Sequence, residues 1–167
     1  SFGDAAAMWN QRYAGDELLF GEAPNDYLRA QAPRLPRSGR ALCVADGEGR
    51  NSVWLAQQGL QVDAFDIAER GVAKARALAR RRGVAVDFAV ADGDALAWPQ
   101  ALYDLVAAIF IQFATPEERA QLFAWFMRAL KPGEITPTVL RSGAGFHILR
   151  LIDRREAAAM RVTQTRA

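Results

Sequence analysis

The chain predicts an α/β fold built on a mostly parallel, doubly wound sheet, and three observations predict it. Short apolar runs alternate with longer helical stretches, the pattern of strands joined by crossover helices. Two of those runs, RALCVA at 40–45 and DLVAAIF at 104–110, lack an alternating polar face, as central parallel strands do. The length of 167 residues suits one domain with a single sheet.

Each element has a local reason. Residues 8–20 bring Trp9, Tyr13 and Phe20 ahead of Gly21. Asn25-Asp26 precedes a short helix that Pro33 and Pro36 end. The turn at 36–39 leads into the first strand, 40–45. DGEGRN follows at 46–51, then a helix over 52–58 closed by Gly59. Residues 60–65 read as the second strand, ending at Asp66. Val72, Ala75 and Ala79 give the helix over 69–82 an apolar stripe, and Gly83 stops it. Residues 84–91 alternate with period two and read as the third strand. A fourth strand lies within 102–110. Thr115, Pro116 and Glu118 open a helix with a capping box, and Lys131-Pro132-Gly133 closes it. FHILRLI at 146–152 and AMRVTQT at 159–165 can pair as an antiparallel hairpin. Residues 135–140 suit either a helix start or a strand.

Composition removes several classes. With 21 basic and 19 acidic residues the net charge is +2, little support for nucleic-acid binding. Arg76, Arg80, Arg81 and Arg82 share one helix, and a solvated face is favoured over an RNA contact. Cys43 is the one cysteine and His147 the one histidine, so neither an intrachain disulfide nor a His/Cys zinc site is available. We expect no metal. No apolar run approaches the roughly 20 residues of a membrane span. A cytoplasmic protein without a membrane partner is expected.

In an open parallel sheet, ligands sit beyond the carboxyl ends of the strands, where strand order reverses. That selects 46–51, Asp66, 92–94 and 108–112 as candidate lining. Gly47 and Gly49 permit positive φ and close approach. The dinucleotide fingerprint wants a third glycine where Ser52 stands. Asp66 is placed to accept both hydroxyls of a ribose, whether of NAD, S-adenosyl-L-methionine (SAM) or another adenosyl ligand; a loop or cap aspartate is an equal reading. Asp92 can take an adenine amino group beside Gly93, or simply make an Asp-Gly turn. Ile67 and Leu96 suit an adenine sandwich or ordinary core.

ALCVADGEGRNSVWLAQQG, VDAFDIAERGVAKA, VAVDFAVADGDALAW and YDLVAAIF…LKPG together resemble the class I SAM-dependent methyltransferases. Within them the chain is most similar to the small bacterial branch of tellurite-resistance (TehB)-like and thiopurine-methyltransferase-like enzymes, a likeness that MWNQRYAGDELLFGEAPNDYL shares. The resemblance covers about residues 8–133. It implies a Rossmann-like fold, SAM as cofactor and a small-molecule methyl acceptor, with no nucleic-acid partner. It also implies a single domain: an N-terminal cap segment (1–36), a cofactor-binding core (37–133) and an abbreviated C-terminal part (134–167).

The same resemblance places Gly47 and Gly49 under the methionine moiety. Asp66 would take the ribose, with Ile67 against adenine; Asp92 would take the adenine amino group, with Gly93 beside it. Ala108 would line the cofactor near the sulfonium. Trp9, Tyr13 and Phe20 would close over the site, against a slightly favoured reading as hydrophobic docking. The chain departs from the pattern in three places. The acid expected two positions before Gly47 is Ala45, and Asp46 stands one place on. Ile111-Gln112-Phe113 carries no evident base, so no catalytic residue is assigned. After Gly133 the sequence is too short for a full fifth strand and its loop. Part of strand five is therefore expected to be absent, with residues missing between 133 and 136 and again near 156–159.

The function expected is methyl transfer from SAM to a small molecule, a thiol or a chalcogen oxyanion. A catalytically inactive SAM-binding module is the alternative, and an NAD(P)-binding oxidoreductase a weaker one.

Overall fold

A computed structural model describes residues 2–109, 115–132 and 146–149. Five strands form one sheet in the order β3-β2-β1-β4-β5. They are β1 (Arg40–Val44), β2 (Gln61–Asp66), β3 (Val86–Val90), β4 (Leu105–Ile109) and β5 (Phe146–Leu149). The first four are parallel. Val44 lies level with Phe65 on one side and with Ala108 on the other. The chain runs outward from β1 to β3, then returns to place β4 on β1's other side. Strand order therefore reverses between β1 and β4, where the expected crevice opens.

Helices α1 (Phe2–Arg12), α2 (Asp26–Ala30), α3 (Arg50–Gln57), α4 (Glu69–Arg82) and α5 (Pro116–Ala129) surround the sheet. Alternation along the strands divides the core in two. Leu42, Val44, Val106 and Ala108 pack against Phe126 and Ala129 of α5. Ala41, Cys43, Leu105 and Ala107 face Leu28 of α2 and Leu55 of α3. Both faces of β1 and β4 are thus covered, which is why neither run carries a polar face. β3 is an edge strand, and Arg76 donates to its Phe88 carbonyl at 2.9 Å. The capping box at the start of α5 is present, with Thr115 and Glu118 each accepting from the other's backbone N–H.

β5 is antiparallel and pairs directly with β4, His147 opposite Ala108. Among the described residues no parallel strand stands between them, in keeping with the expected loss in strand five. The hairpin's second half at 159–165 and the breaks expected near 133–136 and 156–159 lie outside the described residues. So do Ile111, Gln112 and Phe113. No helix among the described residues is long and apolar enough to cross a membrane.

Candidate functional site

A cavity of about 410 Å³ opens at the carboxyl ends of β1, β2 and β3, within the range of small-molecule pockets. Asp46, Gly47, Asp66, Ile67, Asp92 and Gly93 all line it, so one wall gathers most of the predicted set. Gly49 and Ala108 do not line it. Gly49 has φ +89°, and a Cβ there would stand 2.7 Å from the Ala75 Cβ. Its bare Cα admits the close approach of α4. Ala108 points into the core beneath α5. Period-two alternation turns its neighbour Ile109 to the cavity instead. Leu96 also joins the core, while Leu122 of α5 borders the cavity near Gly93.

Burial sets the chemistry of the carboxylates. Asp66 is 7% exposed and ends β2. Its oxygens accept from the Gly47 and Ala68 N–H groups, each at 2.8 Å. Burial raises its pKa, and those two N–H groups oppose the rise. Each oxygen has a second lone pair for a further donor. Asp46 accepts from both the backbone N–H and the hydroxyl of Ser52. Burial pushes its carboxyl up to about 6, against those two bonds. Asp92 turns one oxygen to the Asp94 N–H at 3.0 Å.

The N-terminal segment forms the opposite wall through Met8, Trp9, Tyr13, Phe20 and Gly21. Trp9 and Tyr13 stack at 5.5 Å. Tyr13 reaches the glycine turn, its hydroxyl 2.8 Å from where a Gly47 Cβ would be. Burial and the nearby Asp66 and Glu48 raise the pKa of that phenol. The segment is tied down by the turn itself. Glu48 accepts from the Leu19 N–H at 2.7 Å and pairs with Lys74 at 2.9 Å, and Lys74 also donates to the Glu17 carbonyl. Asn51 accepts from the Asn25 N–H at 2.8 Å. Arg81 and Arg82 of the basic run both pair with Glu22. Arg50 and Ile109 fall within the stretches 46–51 and 108–112 expected to line the site, and both do. Met8 and Leu122 also line it and carry no local signal of that role.

The fold is that of a methyltransferase domain. Residues 41–133 match the family described by that name, and the chain belongs to it. A SAM-dependent methyltransferase from Mesorhizobium loti is 29% identical, with a TM-score of 0.54 over 64% of this chain and 48% of its own. The biotin biosynthesis bifunctional protein BioHC of Cellvibrio japonicus is 33% identical over 139 residues, 80% of this chain and 25% of that protein. The chaperone SurA of Thiobacillus denitrificans is 53% identical over 47 residues, 28% of this chain and 11% of that protein. The chain thus spans a quarter or less of these two curated relatives.

Proposed function

We propose that this chain binds SAM in the cavity at the strand ends and transfers its methyl group to a small molecule with a soft nucleophile. The observation that carries the reading is the placement of Asp66 and Asp92 on one wall of a single cavity, at the ends of β2 and β3. Asp66 would accept the ribose hydroxyls through its free lone pairs. Asp92 would accept from the adenine amino group, with Ile67 and Leu122 bordering the ring. Gly47 would carry the backbone past the methionine end.

When bound, SAM would supply an electrophilic methyl on a sulfonium, which a nucleophile takes in line as S-adenosylhomocysteine leaves as a neutral thioether with the S–C electron pair. The chain's part is to align the two reactants and exclude water. Met8, Trp9 and Phe20 supply the apolar wall that would do so. No histidine or lysine lines the cavity among the described residues, and Asp46, Glu48 and Asp66 are engaged in hydrogen bonds. An acceptor that needs no strong base fits such a wall. A thiol or a chalcogen oxyanion is that kind of acceptor, and likeness to the TehB-like branch favours it.

Calorimetry against SAM, S-adenosylhomocysteine and NADH, followed by single-turnover transfer of labelled methyl to a panel of thiols and chalcogen oxyanions, tests the proposal. Asp66→Asn and Asp92→Ala should each weaken SAM binding at least about tenfold, the worth of one hydrogen bond to a charged group. Unchanged affinity in both variants removes the wall from the site. Binding without transfer to any acceptor leaves a SAM-binding module instead of an enzyme.

A further inference from the structure

The N-terminal segment lies along one face of α4, and turn after turn of that helix contributes a contact. The Arg70 N–H donates to the Asn10 side chain at 2.9 Å. The residue before α4 makes no side-chain cap, so Asn10 supplies an acceptor from α1. Lys74 donates to the Glu17 carbonyl at 2.8 Å. Leu18 packs beside Leu78 and Ala79. Arg81 and Arg82 pair with Glu22 at 2.9 and 2.6 Å. Positions 70, 74, 78 and 81–82 share a helix face because they are three or four apart. Two members of the basic run at the end of α4 thus have a partner, and it belongs to the segment that walls the cavity.

The outer part of that segment is held lightly. Tyr13 is the one buried residue between positions 4 and 22. Leu19 and Phe20 are 44% and 45% exposed. Glu48 and Lys74 bond only to backbone groups of the stretch, at Leu19 and Glu17, and keep their own 2.9 Å pair if it lifts. The contacts to Glu22 are ion pairs open to solvent, each worth only a few-fold in an equilibrium. Gly15 and Gly21 bound the stretch; Gly21 sits at φ +73°, and a Cβ on either would meet no atom within 4 Å. A segment with so few buried contacts opens locally, without the rest of the fold. Phe20 and Gly21 of this stretch line the cavity on the wall opposite Asp66 and Asp92. We propose that residues 15–22 are a strap that lifts to admit and release ligands, and that Lys74, Arg81 and Arg82 of α4 clasp it shut. The clasp sets the exchange rate of whatever occupies the cavity; only the probe used below rests on the SAM reading.

Two double variants test it. Arg81→Gln with Arg82→Gln removes the outer clasp. Glu22→Cys with Arg81→Cys, joined by a reducible bismaleimide, holds it shut; the native thiol, Cys43, is 2% exposed and does not compete. Hydrogen exchange at the amides of 15–22 should quicken about three- to tenfold in the glutamine variant, the worth of two exposed ion pairs, while β1 and β4 exchange as in wild type. In stopped-flow fluorescence, S-adenosylhomocysteine should enter and leave that variant faster by a similar factor, with Kd changed less than about threefold. The cross-linked protein should exchange this probe at least about tenfold more slowly than wild type and recover on reduction. Unchanged hydrogen exchange over 15–22 in the glutamine variant overturns the proposal. Quickened exchange in β1 and β4 as well overturns it too, because the ion pairs would then hold the whole fold. So do equal ligand rates before and after the cross-link is reduced. Failure of wild type to bind S-adenosylhomocysteine defeats the SAM reading instead, and hydrogen exchange then decides the strap.

Discussion

Gly49→Ala tests how the glycine turn is built. The new Cβ would lie 2.7 Å from the Ala75 Cβ and 2.9 Å from the Ala75 Cα, closer than real Cβ atoms approach. At φ +89° an alanine also pays for a backbone region that side chains disfavour, about 1–2 kcal/mol. Overpacking against the α4 backbone adds about 1–3 kcal/mol. The total, about 2–5 kcal/mol, is a large share of an ordinary domain's stability. Ala75→Gly alone should cost about 1 kcal/mol in helix propensity, somewhat more for the lost buried methyl. It removes the nearer of the two clashing atoms but not the strain in φ. Urea melts of both single variants and the double should show the pair costing at least about 1 kcal/mol less than the sum. Strict additivity would refute the packing argument, because the turn would then be sliding away from α4. Because Gly49 faces α4, SAM affinity of the folded variant should stay within a few-fold of wild type.

Two further outcomes follow from the same turn. Lys74→Met leaves the Glu48 side chain, 4% exposed, without its cation. That should cost about 3 kcal/mol and speed proteolytic cleavage between residues 15 and 22. Adding Glu48→Gln should restore part of the stability, and no restoration would show that the pair is not effectively buried. Asp46 makes stability depend on pH. Its folded pKa of about 6 lies above the ordinary 3.8, so the folded state holds the proton more tightly. Stability should therefore fall as pH rises through that window, by about 3 kcal/mol at most. Urea midpoints from pH 4 to 7 should show a decline in wild type that Asp46→Asn flattens; a wild-type slope unchanged by the substitution contradicts it.

The parts of the fold legible in the sequence were those whose cause is local. The apolar runs of β1 and β4, the stripe on α4 and the capping box of α5 each follow from residues a few positions apart. Asp66 and Asp92 were legible because a strand end has a fixed place in this topology. Gly49 and Ala108 do not line the cavity, which sequence could not foretell, because it says where a residue falls along the chain, not which neighbour its Cα or Cβ meets. The closeness of Ala75 to Gly49 depends on the path of α4. The direction of Ala108 depends on which face α5 covers.

The least legible feature is also the one that shapes the cavity. Glu48 and Asn51 fall in the stretch 46–51 expected to line the site, yet their hydrogen bonds reach back 29 and 26 positions to Leu19 and Asn25. Arg50 reaches 30 positions back to Phe20. The turn thus contributes Gly47 to one wall and holds the segment that supplies Phe20 to the other. The N-terminal segment both docks on the body of the fold and lines the cavity. Tyr13 shows this in one side chain: 5% exposed, it packs against Gly71 of α4 and also lines the cavity. Arg50, Glu48 and Asn51 are thus three separate tethers from one turn to that wall, to Phe20, Leu19 and Asn25.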